Sequence, residues 1–287
     1  MKVGNDVILV TGATGHQGGA VAHELLDKKH RVSVLTRKPD SPTAQVLAKR
    51  GATVITGDFD DPASLERALD GVWGVFAVQN TWEAGVEQEE AQGKRIAELA
   101  KRRGVQHFVY ASVASAHRKT GIPHFDNKWR VEETVRRLGF TSWVIIRPVF
   151  FMENWTSGWF KPAIDQGKLM IGLKPDTVLQ MIAVRDIGRY GRLAFEKHGE
   201  LNGRAIDIAG DARTPLETAR ILSHAAGRLI TFQPVPIDEV RKASMDYALM
   251  LEWFVRVGYD ADIPAIAKEY GVRPTTLEEW AAKVAWR

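Results

Sequence analysis

Residues 7–19 of the chain read VILVTGATGHQGG. Residues 7–10 form a short apolar run rich in β-branched side chains, and glycines follow at positions 12, 15 and 18. Residues 20–26 then place apolar side chains at helical spacing. This order predicts a strand, a glycine-rich turn and a helix. Such glycines let the backbone approach a pyrophosphate closely, so a dinucleotide site is favoured over a plain strand-to-helix turn.

The predicted phosphate contacts lie in this turn and at the start of the helix that follows it. Free backbone N–H groups and the positive end of the helix dipole make that position suitable for an anion. The residues that we expect to contact the cofactor there are Gly12, Thr14, Gly15, His16, Gln17 and Gly18.

The end of the second predicted strand, at residues 31–36, indicates which dinucleotide is bound. Arg37 and Lys38 follow this strand, and no acidic residue comes before Asp40. An acidic residue at this place binds the ribose 2′-hydroxyl of NAD, whereas an arginine accommodates the 2′-phosphate of NADP. The sequence therefore predicts a preference for NADP(H) over NAD(H). The alternatives are a solvent-facing basic turn and a ribose contact from Asp40.

The first half of the chain alternates predicted strands and helices. Further strands are expected at residues 52–56, 72–78, 105–112 and 141–146, and helices at residues 20–28, 44–50, 83–103 and 124–138. Strands that are connected by helices lie parallel, with right-handed crossovers. The predicted fold class is therefore α/β, with a Rossmann-type doubly wound parallel sheet.

Residues 1–153 are predicted to form this dinucleotide-binding domain. Residues 154–287 are predicted to form a smaller, mostly helical α+β substrate lobe whose strands return in part to the main sheet. Its expected strands are 179–184, 203–209 and 230–235. Asp61 before Pro62 and Thr214 before Pro215 have the spacing of helix N-caps.

Other candidate cofactor contacts follow later strands. Asp58 and Phe59 come after the third strand, where an adenine ring would rest, although a capping aspartate and a core phenylalanine account for them equally well. Gln79 follows the fourth strand at the carboxyl edge, where ligands bind in such sheets. Pro148 and Phe150 lie just after the sixth strand, where the nicotinamide would sit.

The candidate catalytic residues are Ser112, at the end of the fifth strand, and His124 and Lys128, at the start of the next helix. Lysine can orient the nicotinamide ribose and, when desolvated near other cations, act as a base. Histidine is the natural proton carrier near neutral pH. Each also has a structural interpretation: a strand-end serine, a surface imidazole and a solvated helix lysine. Ser115 is a weaker candidate than Ser112.

Aromatic residues are expected to line an apolar substrate pocket, which suits a planar or hydrophobic substrate. They are Trp82, Phe151, Trp155 and Trp159. The alternative is that these rings pack between the two lobes.

Composition narrows the class of protein. The chain has 287 residues, 45% of them hydrophobic, no cysteine and a net charge of +4 that is spread among acidic and basic residues. This mixed surface argues against a nucleic-acid partner, and we expect no metal site. No apolar run approaches the ~20 residues of a membrane helix, and no apolar signal-peptide stretch opens the chain, so we expect a cytoplasmic protein.

Several motifs together show a family resemblance. They are TGATGHQGG at 11–19, TRKP at 36–39, GDFDD at 57–61, HFDNKWRVEE at 124–133, IIRPVFFMENW at 145–155, VRDIG at 184–188 and PTTLEEW at 274–280. On these motifs, which span nearly the whole chain, the protein resembles the NmrA-like group of atypical short-chain dehydrogenases/reductases. It is also similar to the isoflavone-reductase-like and quinone-oxidoreductase-like enzymes.

The resemblance implies a nicotinamide cofactor and turnover. We expect an NADP(H)-dependent oxidoreductase that passes hydride to a small hydrophobic carbonyl, enone or quinone. Conventional short-chain dehydrogenases carry a tyrosine four residues before the lysine, and His124 stands at that position here. Isoflavone-reductase-like enzymes use the lysine alone as acid/base, which Lys128 matches. NmrA itself looks like a sensor that binds a dinucleotide and regulates through protein contacts. The resemblance therefore leaves a second possibility for this chain, a regulator that acts through a protein partner. The resemblance leaves the oligomeric state, including a homo-oligomer, open.

Overall fold

The computed structural model describes residues 6–286; residues 1–5 and Arg287, at the two ends of the predicted domains, lie outside the described residues. The chain divides into two compact units. The first unit comprises the residues up to His117 and residues 124–147 and 187–206. The second unit comprises residues 118–123, 148–186 and those from 207 onward. Residues 187–206 thus follow position 153 in the chain but belong to the first unit.

The described strands, in chain order, are β1 Val7–Val10, β2 Arg31–Thr36, β3 Thr53–Thr56, β4 Val72–Ala77, β5 His107–Ala111, β6 Ser142–Pro148, β7 Phe150–Phe151, β8 Lys168–Ile171, β9 Leu179–Ile182, β10 Arg204–Ile208, β11 Asp211–Arg213 and β12 Thr231–Pro234. The described helices are α1 His16–Asp27, α2 Pro42–Lys49, α3 Pro62–Ala68, α4 Thr81–Ala84, α5 Val86–Arg102, α6 Pro123–Arg137, α7 Lys161–Asp165, α8 Val184–Glu196, α9 Pro215–Ala226, α10 Ile237–Ala243, α11 Met245–Arg256, α12 Ile263–Tyr270 and α13 Leu277–Ala281.

Within residues 6–286, seven strands form the main sheet in the order β10-β6-β5-β4-β1-β2-β3. Strands β1 to β6 pair in parallel. The order β3-β2-β1-β4-β5-β6 is that of the doubly wound dinucleotide-binding fold, whose ligands bind beyond the carboxyl ends of the strands. The predicted α/β fold class is therefore confirmed.

One face of the main sheet changes from apolar to polar at its carboxyl edge. Val75 and Ala77 of β4 and Phe108 of β5 pack in a buried core with α5 and α6. Since side chains alternate between the faces of a strand, Gln79 and Ser112 continue the same face beyond these residues. The polar groups that the sequence singles out at these strand ends thus lie toward the helices α5 and α6.

Two predicted helices have different bounds in the structure. Helix α1 begins at His16 rather than at residue 20, because Gly15 is its N-cap and Gly18 lies in its first turn. The predicted helix 83–103 is interrupted at Gly85, where φ is 83° and the chain turns from α4 into α5. The short strands β7, β8 and β11 have no counterpart in the sequence prediction.

In the second unit, β11-β9-β7 form one small sheet and β12-β8 another. Buried carboxylates hold the segment that leads into α13. Asp186 accepts hydrogen bonds from the backbone N–H and the hydroxyl of Thr275, at 2.7 and 3.1 Å. Asp211 accepts one from the N–H of Leu277 at 2.7 Å, and burial raises the pKa of this carboxyl. Both aspartates therefore have structural partners.

Candidate functional site

The turn between β1 and α1 has the form that a phosphate-binding loop needs. Gly12 has a φ of 60°, and a Cβ there would lie 2.7 Å from a methyl of Val78. A Cβ on Gly18 would lie 2.3 Å from the carbonyl oxygen of Thr11, so only glycine fits. The loop backbone therefore lies closely against β1 and the end of β4.

The outer part of this loop faces solvent. Thr14, Gly15 and His16 are exposed, and no side chain among the described residues caps the first N–H groups of α1. The Oε1 atom of Gln17 is buried without a hydrogen-bond partner among the described residues. Exposed helix N-terminal amides beside a glycine turn are suited to an anion.

At the carboxyl end of β2, Arg37 and Lys38 are both exposed. The guanidinium of Arg37 forms an ion pair with Glu83 of α4, and the N–H of Lys38 donates to the hydroxyl of Thr36 at 3.1 Å. The basic turn is present as predicted, but the structure adds a carboxylate that the sequence did not indicate.

Asp58 and Phe59 have local structural partners. The carboxylate of Asp58 accepts a hydrogen bond from the N–H of Asp60 at 2.9 Å, and Phe59 packs against the core of the first unit. Asp61 caps α3 by accepting from the N–H of Ala63 at 3.0 Å, which confirms the predicted cap. An adenine contact from Asp58 and Phe59 stays a prediction.

Lys128 lies on α6 and is nearly buried. Its Nζ atom donates to Oε1 of Glu89 on α5 at 2.6 Å, and Glu89 is 1% exposed. The other carboxylate oxygen accepts from the hydroxyl of Thr81 and from Nδ2 of Asn127. Burial raises the pKa of Glu89, but the charge of Lys128 and these hydrogen bonds outweigh it, and the pKa lies below its usual value. Lys128 therefore lies beside an anion. The role as a base that the sequence suggests would require cations beside the lysine instead.

Ser112 contacts a second buried carboxylate on the same helix. Its hydroxyl donates to Glu132, which is fully buried, at 2.5 Å. Arg147 binds Glu132 through two hydrogen bonds of 2.8 and 2.7 Å, and Arg136 adds a third at 2.8 Å. Ser115 is buried, with a φ of 66°. The hydroxyl of Ser112 thus has a structural partner, and a catalytic role for it stays a prediction.

His124 opens the polar face of α6, four residues before Lys128. It is 7% exposed, and its ring lies 5.4 Å from that of Trp82, which is 57% exposed. The structure therefore brings a predicted catalytic residue together with a predicted substrate residue.

Two buried polar groups lie among the same elements. Both amide atoms of Gln79 and the hydroxyl of Tyr110 are buried without hydrogen-bond partners in the described part of the chain. Gln79 lies next to Gly93 of α5, since a Cβ there would be 3.2 Å from Oε1 of Gln79. The Nζ atom of Lys128 lies 6.0 Å from the ring centroid of Tyr110. Burial and the nearby carboxylates raise the pKa of Tyr110.

The remaining candidates belong to the second unit. Trp155 is 2% exposed, its indole N–H lies 3.3 Å from the sulfur of Met181, and its ring contacts that of Phe150. Trp159 is 81% exposed, Phe151 is half-buried, and Pro148 is buried. Trp155 is therefore placed like a core residue. Binding roles stay predictions for Pro148, Phe150, Phe151, Trp155 and Trp159.

The sequence reasoning missed Glu89 and Glu132. A signal for both was present: Glu132 follows Lys128 by four residues, and Glu89 lies on the same stripe of α5 as the buried Gly93, Ile96 and Ala100. Residues four apart share a helix face, so an acid at such a position is buried with its neighbours and needs a partner.

No helix within residues 6–286 combines the length and the apolar character that crossing a membrane requires. Across the same residues, no three histidine or acidic side chains lie close enough together to hold a metal ion.

The sequence profile described as NmrA-like family matches residues 4–281. The chain belongs to the NmrA-like family. A curated relative is the (4-alkanoyl-5-oxo-2,5-dihydrofuran-3-yl)methyl phosphate reductase of Streptomyces griseus, which is 30% identical and aligns over 97% of this chain and 98% of its own.

Solved structures share the fold of this NmrA-like chain. The NADPH-dependent quinone oxidoreductase of Escherichia coli, complexed with NADPH, has a TM-score of 0.81 at 24% identity and covers 96% of this chain and 98% of its own. NmrA, a negative transcriptional regulator in complex with NAD, has a TM-score of 0.82 at 20% identity, with 98% and 95% covered.

Proposed function

We propose that this chain is an NADP(H)-dependent oxidoreductase that passes hydride to a small hydrophobic carbonyl, enone or quinone. The observation that carries the proposal is the loop at residues 12–18, whose backbone leaves no room for a side chain at Gly18 and leads into the uncapped start of α1. The reductase from Streptomyces and the fold of the quinone oxidoreductase support the same activity.

The residues present fit a nicotinamide dinucleotide. Exposed loop backbone from Thr14 to His16 is open to a pyrophosphate, and Gln17, in the first turn of α1, would contact the cofactor beside it. Gly12 and Gly15 would approach the same phosphates. When bound, the cofactor would supply the hydride. The protein would bind and orient the cofactor and the substrate, and it would protonate the reduced product.

The preference for NADP(H) rests on Arg37 and Lys38. Both side chains are exposed at the tip of β2, where the 2′-phosphate of NADP is bound in this fold. Asp58 and Phe59, after β3, would contact the adenine. A bound 2′-phosphate would compete with Glu83 for the guanidinium of Arg37.

Lys128 is our candidate for the proton donor. Its ammonium group lies against a carboxylate, so it can hold a proton and give it to the oxygen of the reduced product. His124, four residues earlier on the same helix face, would assist. Ser112, at the end of β5, is the third proposed catalytic residue, and its hydroxyl binds Glu132 of the same helix α6.

The nicotinamide half and the substrate complete the proposed site. Gln79, Pro148 and Phe150 would contact the nicotinamide. The substrate would be bound by the aromatic side chains Trp82, Phe151, Trp155 and Trp159.

A dinucleotide sensor that acts through a protein partner is the second candidate. One observation favours it: a histidine stands at position 124, where conventional short-chain dehydrogenases have their tyrosine. The likeness to the fold of NmrA, described as a negative transcriptional regulator, is compatible with such a role.

Steady-state oxidation of NADPH across a panel of quinones, enones and hydrophobic carbonyls separates the two. We expect turnover with at least one acceptor, and faster turnover with NADPH than with NADH. Tight dinucleotide binding without oxidation by any acceptor would favour the sensor instead. Absence of dinucleotide binding would overturn both proposals.

A further inference from the structure

We propose that Glu89 is a positioning residue whose buried carboxylate holds the ammonium group of Lys128 in the orientation needed for proton donation. The inference rests on the proposed reductase function and adds to it a residue of a different helix. It follows from the hydrogen bonds around this carboxylate and from the physics of buried charges.

The hydrogen bonds leave Glu89 a single orientation. Lys128 occupies Oε1 at 2.6 Å, whereas the hydroxyl of Thr81 and Nδ2 of Asn127 occupy Oε2. Asn127 also donates to the carbonyl oxygen of Val86 at 2.8 Å, at the start of α5. Side chains of α4 and α6 therefore hold one carboxylate of α5, and this carboxylate holds the lysine.

Stability alone does not account for this arrangement. A buried ion pair loses hydration that its attraction barely repays, and well-packed apolar residues of similar size are often equally stable or more so. A lysine side chain has four rotatable bonds and adopts many rotamers unless a partner selects one. A buried pair at a candidate site therefore indicates preorganisation of the lysine, since catalytic groups are held in place by such supporting contacts.

The neighbouring residue Glu90 forms ion pairs at the surface, in contrast to the buried pair of Glu89. It also lies on α5 and binds two cations, Lys94 at 2.6 Å and Arg130 at 2.6 Å, but both of these side chains are at the surface. Surface pairs of this kind contribute little to stability or orientation. Glu90→Gln is therefore a matched control for Glu89→Gln.

Thr81 offers a second, milder test of the same contact. It is only partly buried, so Thr81→Val should fold, and it removes one of the two hydrogen bonds to Oε2 of Glu89. Thr81→Ser keeps the hydroxyl and is its control.

The experiment measures kcat, KM for the acceptor, the Kd of NADPH and, in the cofactor-free protein, the rate at which a water-soluble acylating reagent modifies Lys128, followed by mass spectrometry. We expect Glu89→Gln to lower kcat at least tenfold, to change the Kd of NADPH less than kcat, and to raise acylation of Lys128 severalfold, because the amine is released from its partner. Glu89→Asp should recover part of kcat. Thr81→Val should shift the same quantities by smaller factors.

Wild-type kcat and wild-type acylation of Lys128 in Glu89→Gln would overturn the proposal, as would equal losses in Glu90→Gln. Should Glu89→Gln not fold, wild-type values in Thr81→Val would overturn it and the graded shifts would support it. If the wild-type protein oxidises no NADPH with any acceptor, the proposed function is wrong. The acylation of Lys128 would still decide whether Glu89 holds the amine.

Discussion

Ser112 and Glu132 are joined by a hydrogen bond of 2.5 Å between the hydroxyl at the end of β5 and a fully buried carboxylate of α6. Glu132 lies four residues after Lys128, so the two charged side chains share one face of the helix. Each is paired with an opposite charge from another element, Arg147 in one case and Glu89 in the other. Helix α6 is thus anchored by charge at two positions one turn apart, Lys128 and Glu132.

Replacing Glu132 tests this anchoring. Glu132→Gln leaves the buried Arg147 without its anion, and we expect the free energy of unfolding to fall by about 3–5 kcal/mol. Urea unfolding followed by circular dichroism measures it. The adjacent Glu133 is exposed, so Glu133→Gln should stay within about 0.5 kcal/mol of wild type. Equal stability of the two variants would show that the contacts of Glu132 with Arg147 and Arg136 do not support the fold.

Replacing Gly18 tests whether the turn between β1 and α1 binds the phosphates of the cofactor. A methyl group on Gly18 would lie 2.3 Å from the carbonyl oxygen of Thr11 and 2.5 Å from that of Gly12, so the backbone of the loop must move. We expect Gly18→Ala to weaken NADPH binding at least tenfold in a fluorescence titration. Gly199→Ala is the control, because a Cβ at Gly199 meets nothing within 4 Å. Unchanged NADPH affinity in Gly18→Ala would place the phosphates elsewhere.

Arg37 should determine the choice of cofactor. Removing a charged hydrogen-bond donor to a phosphate costs about 1.5–3 kcal/mol, so Arg37→Ser should weaken NADPH binding by roughly tenfold to a hundredfold. Binding of NADH, which lacks the 2′-phosphate, should change little. Isothermal titration with both dinucleotides measures the difference, and Arg67→Ser, an exposed arginine of α3, is the control. Equal losses for NADPH and NADH would refute the 2′-phosphate assignment.

Replacing Glu83, the partner of Arg37, should have the opposite effect on NADPH affinity. It forms an ion pair with Arg37, and an exposed pair of this kind is worth at most about 1 kcal/mol. Glu83→Gln should release the guanidinium and tighten NADPH binding by about twofold to fivefold, with NADH binding unchanged. The same titrations measure it, with the exposed Glu87→Gln as control. Weaker NADPH binding in Glu83→Gln would contradict competition for Arg37.

His107 should make stability depend on pH. It is fully buried, its ring stacks on Trp73, and burial together with His198 lowers its pKa to about 3. The unfolded chain binds a proton near pH 6.5 and the folded chain does not, so the free energy of unfolding falls as the pH drops below 6.5. The slope contributed by this group approaches about 1.4 kcal/mol per pH unit, down to the folded pKa.

The measurement is urea unfolding between pH 4 and 8. His107→Phe, which removes the titrating group, should reduce the acid slope by about that amount, whereas the exposed His224→Gln should leave it unchanged. An unaltered slope in His107→Phe would show that other groups cause the acid loss of stability.

Features set by short-range spacing were predictable from the sequence. The strand at Val7–Val10 and the caps at Asp61 and Thr214 follow from patterns a few residues long. The parallel sheet follows from the repeated alternation of such strands with helices. The break at Gly85 was not predicted, because a glycine inside a helical pattern is often tolerated. The short strands of the second unit were missed because two to four residues carry too little periodicity.

Neighbours along the chain are enough to predict the order of strands and helices, the glycine turn and the basic tip of β2. Three pairings depend instead on the folded chain: Lys128 with Glu89, Ser112 with Glu132 and Arg37 with Glu83. These partners are 20 to 46 residues apart in the chain. Which charges meet depends on how helices pack against a sheet, and the low-polarity interior then requires each buried charge to have a partner.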